Sequence, residues 1–255
     1  MSLLRYRNLL RHLVLKDIKL KYRNSSLGFL WSLANPILMI MVYTFAFKFI
    51  MKSSVHNFTL FLLAGMLPWN FFAASAQGST SAVLDNAALI RKQVFPLEVL
   101  PVSTVLFNLF LFLMALLVLL PVGFLVFGLA PSWSLAAFPA VLILQVLFTV
   151  GVSLFLSTAT AFFRDVRHLT EVVLLMLFWL TPVVYDFKSI PKPYDTLVFY
   201  LNPMTAFTLG YQDALFRQSW PSSRVMLTAA GYAGLALLVG CANFWKYKSD
   251  FAEIV

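Results

Sequence analysis

The sequence predicts an all-α integral membrane protein with six transmembrane helices. An N-terminal amphipathic helix at the membrane interface precedes them, a short cytoplasmic helix follows the second span, and two half-length helices precede the last. Three observations carry this reading. Of 255 residues, 61% are hydrophobic and only 11% charged, against roughly 45–50% and 25% in soluble chains. Val99 to Phe163 runs for 65 residues without an Asp, Glu, Lys or Arg, enough for two crossings at about 20 residues each. The other charge-free runs end at charged residues or at breaks containing Pro or Gly.

Residues 3–23 are too densely charged to span. Leu3, Tyr6, Leu9, Leu10, Leu13 and Val14 share one arc at helical spacing, and Arg5, Lys16, Lys19 and Arg23 gather on another, the pattern of a helix lying in the interface. Leu15 and Ile18 fall outside the apolar arc and Asp17 falls within it. The spans follow at about 28–50, 59–81, 101–127, 135–163, 169–187 and 223–245. The fifth is the weakest: Glu171 and Asp186 leave 14 charge-free residues between them, so it crosses only with both acids near the headgroups. The whole chain, 1–255, reads as one transmembrane domain.

Between the second and third spans, Asp85 is placed to cap a short helix over 85–94, and Pro96 disfavours helix at Phe95. Leu89 and Ile90 beside Arg91 and Lys92 give this helix a face suited to a groove in a cytoplasmic partner. Before the last span, residues 190–216 hold two apolar pieces, each too short to cross, with Asn202 and Pro203 as N-cap and first helical residue of the second. Non-helical backbone at membrane depth survives only where protein buries it or it lines a cavity, so a re-entrant pair here suggests an external gate. The bland alternative is two helices lying flat on the outer surface.

Six spans put both termini on one side. That side collects thirteen Lys and Arg against six opposite, so both termini are expected to be cytoplasmic. The N-terminus lacks the plan of a cleaved signal peptide and is expected to remain in the mature chain. Cys241 is the only cysteine and His12, His56 and His168 are scattered, which excludes an internal disulfide and any Cys/His metal spacing. The net charge of +9 reflects membrane sidedness, and no nucleic-acid partner is expected.

Catalytic signals are missing as well. The acids lie in loops or near span ends, which poorly supplies an ion-driven carrier. The sequence has no P-loop, H-E-x-x-H or G-x-S-x-G, so energy must come from a partner. No catalytic residue, metal or cofactor is assigned to this chain. Of 26 Phe, 9 Tyr and 6 Trp, those near span ends fit the interfacial belt. Tyr43, Phe47, Phe71, Phe72 and Trp179 lie deeper, where lipid-facing packing is the default and a sugar-stacking channel lining is the sharper alternative.

Lys16-Asp17-Ile18-Lys19-Leu20-Lys21-Tyr22-Arg23-Asn24-Ser25-Ser26-Leu27-Gly28-Phe29-Leu30-Trp31 with Asn35-Pro36 resembles the opening of the membrane subunits of ABC exporters for lipid-linked polysaccharides. Later blocks agree in order: Leu63 to Phe72 with Pro68-Trp69-Asn70, Asp85-Asn86 through Phe95-Pro96 to Pro101, Phe163-Arg164-Asp165-Val166, Thr181-Pro182 and Leu201-Asn202-Pro203. The resemblance implies a homodimer in the bacterial inner membrane, bound by two copies of a cytoplasmic ATPase that carries ATP and Mg. It implies that 85–94, with Asp85, Asn86, Leu89, Ile90, Arg91 and Lys92, is the coupling helix, and that 190–216, with Asn202 and Pro203, is the gate. The expected substrate is an undecaprenyl-diphosphate-linked glycan: O antigen, capsule or teichoic-acid precursor. Lys16, Lys19, Lys21 and Arg23 are the expected contacts to the lipid diphosphate. Two rival readings are an ABC exporter of small molecules and a membrane-embedded transferase using Asp165, Glu171, Asp186 or His168.

Overall fold

The structure is a computed structural model that describes residues 6–23, 30–52, 55–92, 95–126, 132–248 and 250–251. Among these residues every regular element is helical. Four helices are long and apolar enough to cross a membrane: α3 (Phe58–Ser81), α5 (Val99–Val126), α6 (Ala137–Phe162, entered through a 3-10 turn at Trp133–Ala136) and α10 (Ser223–Tyr247). Their bounds lie within about two residues of the expected spans.

Two further expected spans are shorter. α2 covers Leu30–Thr44 and continues as a π-helical segment, Phe45–Ile50; residues 28–29 lie outside the described residues. α7 covers Val166–Leu180, 15 residues, or about 22 Å at 1.5 Å per residue. It stops seven residues before the expected end at 187, since Thr181 is extended and Pro182 follows. The amphipathic helix is α1 (Arg7–Lys21); residues 3–5 lie outside the described residues. A 3-10 turn (Leu84–Asn86) leads into α4 (Ala87–Lys92), and residues 93–94 are outside the described set. Before the last span come α8 (Tyr194–Leu201) and α9 (Pro203–Tyr211), the latter extended by a π-helical turn, Gln212–Phe216.

The bundle is organised around α3, whose buried positions run from Phe58 to Thr80 on all sides. Gln145 of α6 is fully buried and its amide donates to the Pro68 carbonyl of α3 at 2.8 Å, satisfying a polar group that hydrocarbon could not. The most extensive helix contact joins α6 and α10. It is possible because Gly151 and Gly240 face each other: a Cβ on Gly240 would collide with the Gly151 carbonyl, and one on Gly151 with the Ala236 carbonyl. Small residues at a crossing let backbones approach and replace the hydrophobic drive that lipid cannot supply.

Gly240→Leu should therefore lower the unfolding temperature in detergent, by an overpacking cost of roughly 1–3 kcal/mol or more. Gly234→Leu, where a Cβ meets nothing within 4 Å, should leave it near wild type. Equal thermal shifts for the two would contradict the close crossing.

Candidate functional site: the two ends of the bundle

The junction at one end of the bundle, the end expected to be cytoplasmic, is built from α1, the end of α3, the 3-10 turn and α4. The apolar arc of α1 faces protein: Leu13 is buried with Ala82, Phe95, Val99 and Leu100, and Tyr6, Leu9 and Leu10 pack on the same cluster. Leu89 and Ile90, expected to offer a face to a partner, are half-buried here and pack against this cluster, with Ile90 also against a second cluster that holds Val83 and Phe244. The outward face of the segment is Asp85, Ala88 and Arg91, all exposed and three apart, hence on one side of a helical turn. Asp85 is not the N-cap expected of it, because it sits inside the 3-10 turn and its carboxylate accepts from Ser81 Oγ at 2.6 Å. Nothing is described of the Lys92 side chain.

The four basic residues near the end of α1 separate. The Lys16 ammonium donates to Asn86 Oδ1 at 3.0 Å and lies 3.8 Å from Asp17. Burial pushes the Asp17 carboxyl up, and the neighbouring Lys16 opposes that shift. Lys21 lies over the Phe107 ring of α5, 5.4 Å from its centroid, and burial lowers its pKa. All four are exposed, and two of them, Lys16 and Lys21, also engage the bundle through Asn86 and Phe107.

The five deeper aromatics divide similarly. Phe71 and Phe72 are each 3% exposed, their rings against Phe112 and Phe148, and both belong to the hydrophobic core of the chain. Tyr43 and Phe47 are half-buried, Tyr43 6.0 Å from the Phe178 ring. Trp179 is 52% exposed. It lies on an uncovered apolar face that includes Leu175 and Met176 of α7, and α2 carries another with Met41, Val42 and Phe45.

The outer segment holds both half-length helices. Asn202 caps α9 as expected: its Oδ1 accepts from Met204 N at 3.1 Å, with Pro203 at the first turn. Its Nδ2 donates to Thr181 Oγ1 at 2.8 Å, tying the cap to the end of α7. α9 is buried along its length from Met204 to Tyr211, packed on α3, α6 and α10, whereas α8 exposes Tyr194, Leu197, Tyr200 and Leu201. The two half-length helices therefore differ: α9 is enclosed by protein, and α8 leaves an apolar face uncovered.

Sequence reasoning missed the polar fastenings of this segment. Arg217 donates to Asp213 Oδ1 at 2.7 Å and to Asp186 Oδ1 at 3.0 Å, and Gln212 donates to the Pro182 carbonyl at 2.8 Å. The guanidinium of Arg224 lies 4.2 Å from the Phe199 ring centroid and 4.9 Å from that of Tyr200, and the Tyr232 hydroxyl donates to the Tyr200 carbonyl. The i,i+4 spacing of Asp213 and Arg217 was a visible signal; the bridge across to Asp186 was not. Arg217→Met leaves two half-buried carboxylates without their donor and should cost about 1.5–3 kcal/mol, measured as a lower unfolding temperature, while Arg217→Lys should recover part of it.

Comparison with known proteins places this geometry. The family model described as ABC-2 type transporter matches residues 8–216. The chain is 37% identical over 242 residues to the O-antigen export system permease protein RfbA of Klebsiella pneumoniae, covering 94% of this chain and 92% of that protein. It is 34% identical to the Myxococcus xanthus protein of the same name over 255 residues, 100% and 98% of the two chains. The polysialic acid transport protein KpsM of Escherichia coli is 23% identical over 205 residues, 75% of each chain. With the match running from α1 through the outer segment on a bundle of apolar membrane helices, the chain belongs to the ABC-2 type transporter membrane family.

Proposed function

We propose that this chain is the pore-forming permease subunit of an ATP-driven exporter that moves an undecaprenyl-diphosphate-linked polysaccharide across the bacterial inner membrane. The observation that carries this reading is the near full-length similarity to two O-antigen export permeases. It favours a polysaccharide over a small-molecule cargo. The transferase reading loses support from the occupation of two of its candidate acids: Glu171 Oε1 accepts from Gln77 at 3.0 Å and Asp186 is paired with Arg217.

In this reading α2 and α7 complete six crossings, with both termini cytoplasmic and the basic residues on the inner side. Two copies meet across the uncovered faces of α2 and α7, so that Trp179, Tyr43 and Phe47 border the glycan path, with Phe71 and Phe72 as packing behind them. Aromatic faces suit this task because stacking on sugars is weak and repeated, permitting sliding. A separate ATPase holding ATP and Mg docks against the Asp85–Ala88–Arg91 face, one copy per permease. Its preference for one state of the coupling segment biases an open or closed pore. The exposed Lys19 and Arg23 attract the diphosphate at the inner leaflet through charge-assisted contacts. The segment of α8 and α9 closes the outer end.

Two outcomes follow in a complex reconstituted with the ATPase. Ala88→Trp, at an exposed position, should cut export about tenfold or more with the subunit still folded, because a bulky group obstructs a packed interface. Leu89→Asp should instead unfold the junction, read as a loss of thermal stability. Export undiminished by Ala88→Trp would reject this face as the docking surface. Neutralising Lys19 and Arg23 together should raise the concentration of undecaprenyl diphosphate needed for half-maximal ATPase stimulation, and this shift should shrink at high salt. An unchanged concentration would remove these residues from lipid recognition.

A further inference from the structure

We infer that Lys16 and Asn86 form a strut between the interfacial helix and the coupling segment, through which occupancy at the end of α1 sets the position of the face offered to the ATPase. Lys16 is then a positioning residue, not a contact to the lipid diphosphate. The inference rests on the functional reading above and adds the connection between its two ends.

Lys16 Nζ donates to Asn86 Oδ1 at 3.0 Å across 70 residues of sequence. Asn86 is held from the other side: its Nδ2 donates to the Ala82 carbonyl at 2.9 Å, just past the end of α3. One carboxamide thus joins α1, the end of α3 and the turn that begins the coupling segment. An apolar seam lies alongside, in which Leu9, Leu10 and Leu13 of α1 share a cluster with Leu89 and Ile90. The opposite face of the same short element, Asp85, Ala88 and Arg91, is exposed.

The geometry has a directional consequence. Lys19 lies about 4.5 Å beyond Lys16 along a helix rising 1.5 Å per residue, Arg23 follows two residues past the end of that helix, and both Lys19 and Arg23 are exposed. A headgroup bound by Lys19 and Arg23 acts on a rigid helix whose middle is fastened to Asn86. Packed elements with two discrete arrangements transmit such shifts because their interiors do not deform smoothly. A bond at the seam rather than at the headgroup therefore governs how strongly binding is felt, not how tightly the headgroup binds.

The test uses the permease–ATPase complex in vesicles of phosphatidylethanolamine and phosphatidylglycerol, titrated with undecaprenyl diphosphate while ATP hydrolysis is followed. Lys16→Met should lower maximal stimulation by about threefold or more with the half-maximal concentration within about twofold of wild type. Lys16→Arg should restore it. Asn86→Leu should match Lys16→Met, and the double variant should be no worse than either, as expected when two changes remove one interaction. Asn86→Asp keeps the acceptor and should retain stimulation, separating loss of the strut from loss of the bond to Ala82. A raised half-maximal concentration with unchanged maximum in Lys16→Met would make Lys16 a lipid contact and overturn the strut, as would additive losses in the double variant. Absence of any stimulation in the wild type would overturn the functional reading itself. Wild-type stimulation that persists undiminished in Lys16→Met would overturn the strut alone.

Discussion

The account depends on one constraint: the apolar arc of α1 is spent on protein. An amphipathic helix beside a bilayer can bury its apolar side in lipid or in its own bundle, at about 25 cal/mol per Å² either way. Here Leu13 is enclosed by Ala82, Phe95, Val99 and Leu100, and that choice fixes the rest of this end of the bundle. Leu89 and Ile90 are drawn into the same seam, α4 and the 3-10 turn before it present Asp85, Ala88 and Arg91 outward, and Lys16 comes within bonding distance of Asn86. Had α1 lain free on the lipid, the two ends of the proposed mechanism would share no contact.

Away from that junction, the long helices are scaffold. Several buried polar side chains inside them bond to backbone carbonyls of their own helix, as Thr149 does to Gln145 at 2.8 Å and Ser75 to Phe71 at 2.7 Å, which offsets their burial where water is absent. Gly151 and Gly240 bring α6 and α10 together. Specific chemistry collects at the bundle's two rims, with cations and a carboxamide at one, and an arginine clamp and a capped half-helix at the other. The outer segment is fastened to three neighbours, to α7 through Asn202 and Thr181, to the following loop through Gln212 and Pro182, and to α10 through Arg224 and Tyr232. Movement there must break polar contacts as well as slide apolar surfaces.

Much of this was legible in the sequence because hydrocarbon leaves the chain few choices. Charge-free length located α3, α5, α6 and α10 closely, and Asn202-Pro203 announced the start of α9 through a local capping rule that needs no tertiary information. Periodicity found the apolar arc of α1 but was silent on what covers it, since the same leucines suit lipid and protein. For that reason the packing of Leu89 and Ile90 against the bundle is not visible in the sequence, and Ala88 is small and featureless there. Aromatic type alone does not distinguish the inside of a bundle from the wall of a path, so the sequence leaves both readings open for Phe71 and Phe72. α7 ended short because an extended Thr181 before Pro182 outweighed the apolar residues that follow. Partners distant in sequence, such as Asp186 with Arg217, 31 residues apart, leave no periodic trace.

The most direct test of the central claim is transport itself. Proteoliposomes containing this chain and its ATPase, supplied with ATP and Mg, would be loaded on the outer leaflet with a fluorescent undecaprenyl-diphosphate-linked oligosaccharide, and its passage to the lumen followed by protection from an added glycosidase. The account predicts protection that requires ATP, the ATPase and the diphosphate-linked glycan together. Protection that proceeds without ATP, or hydrolysis stimulated equally by a small apolar cation and by the glycan lipid, would contradict it.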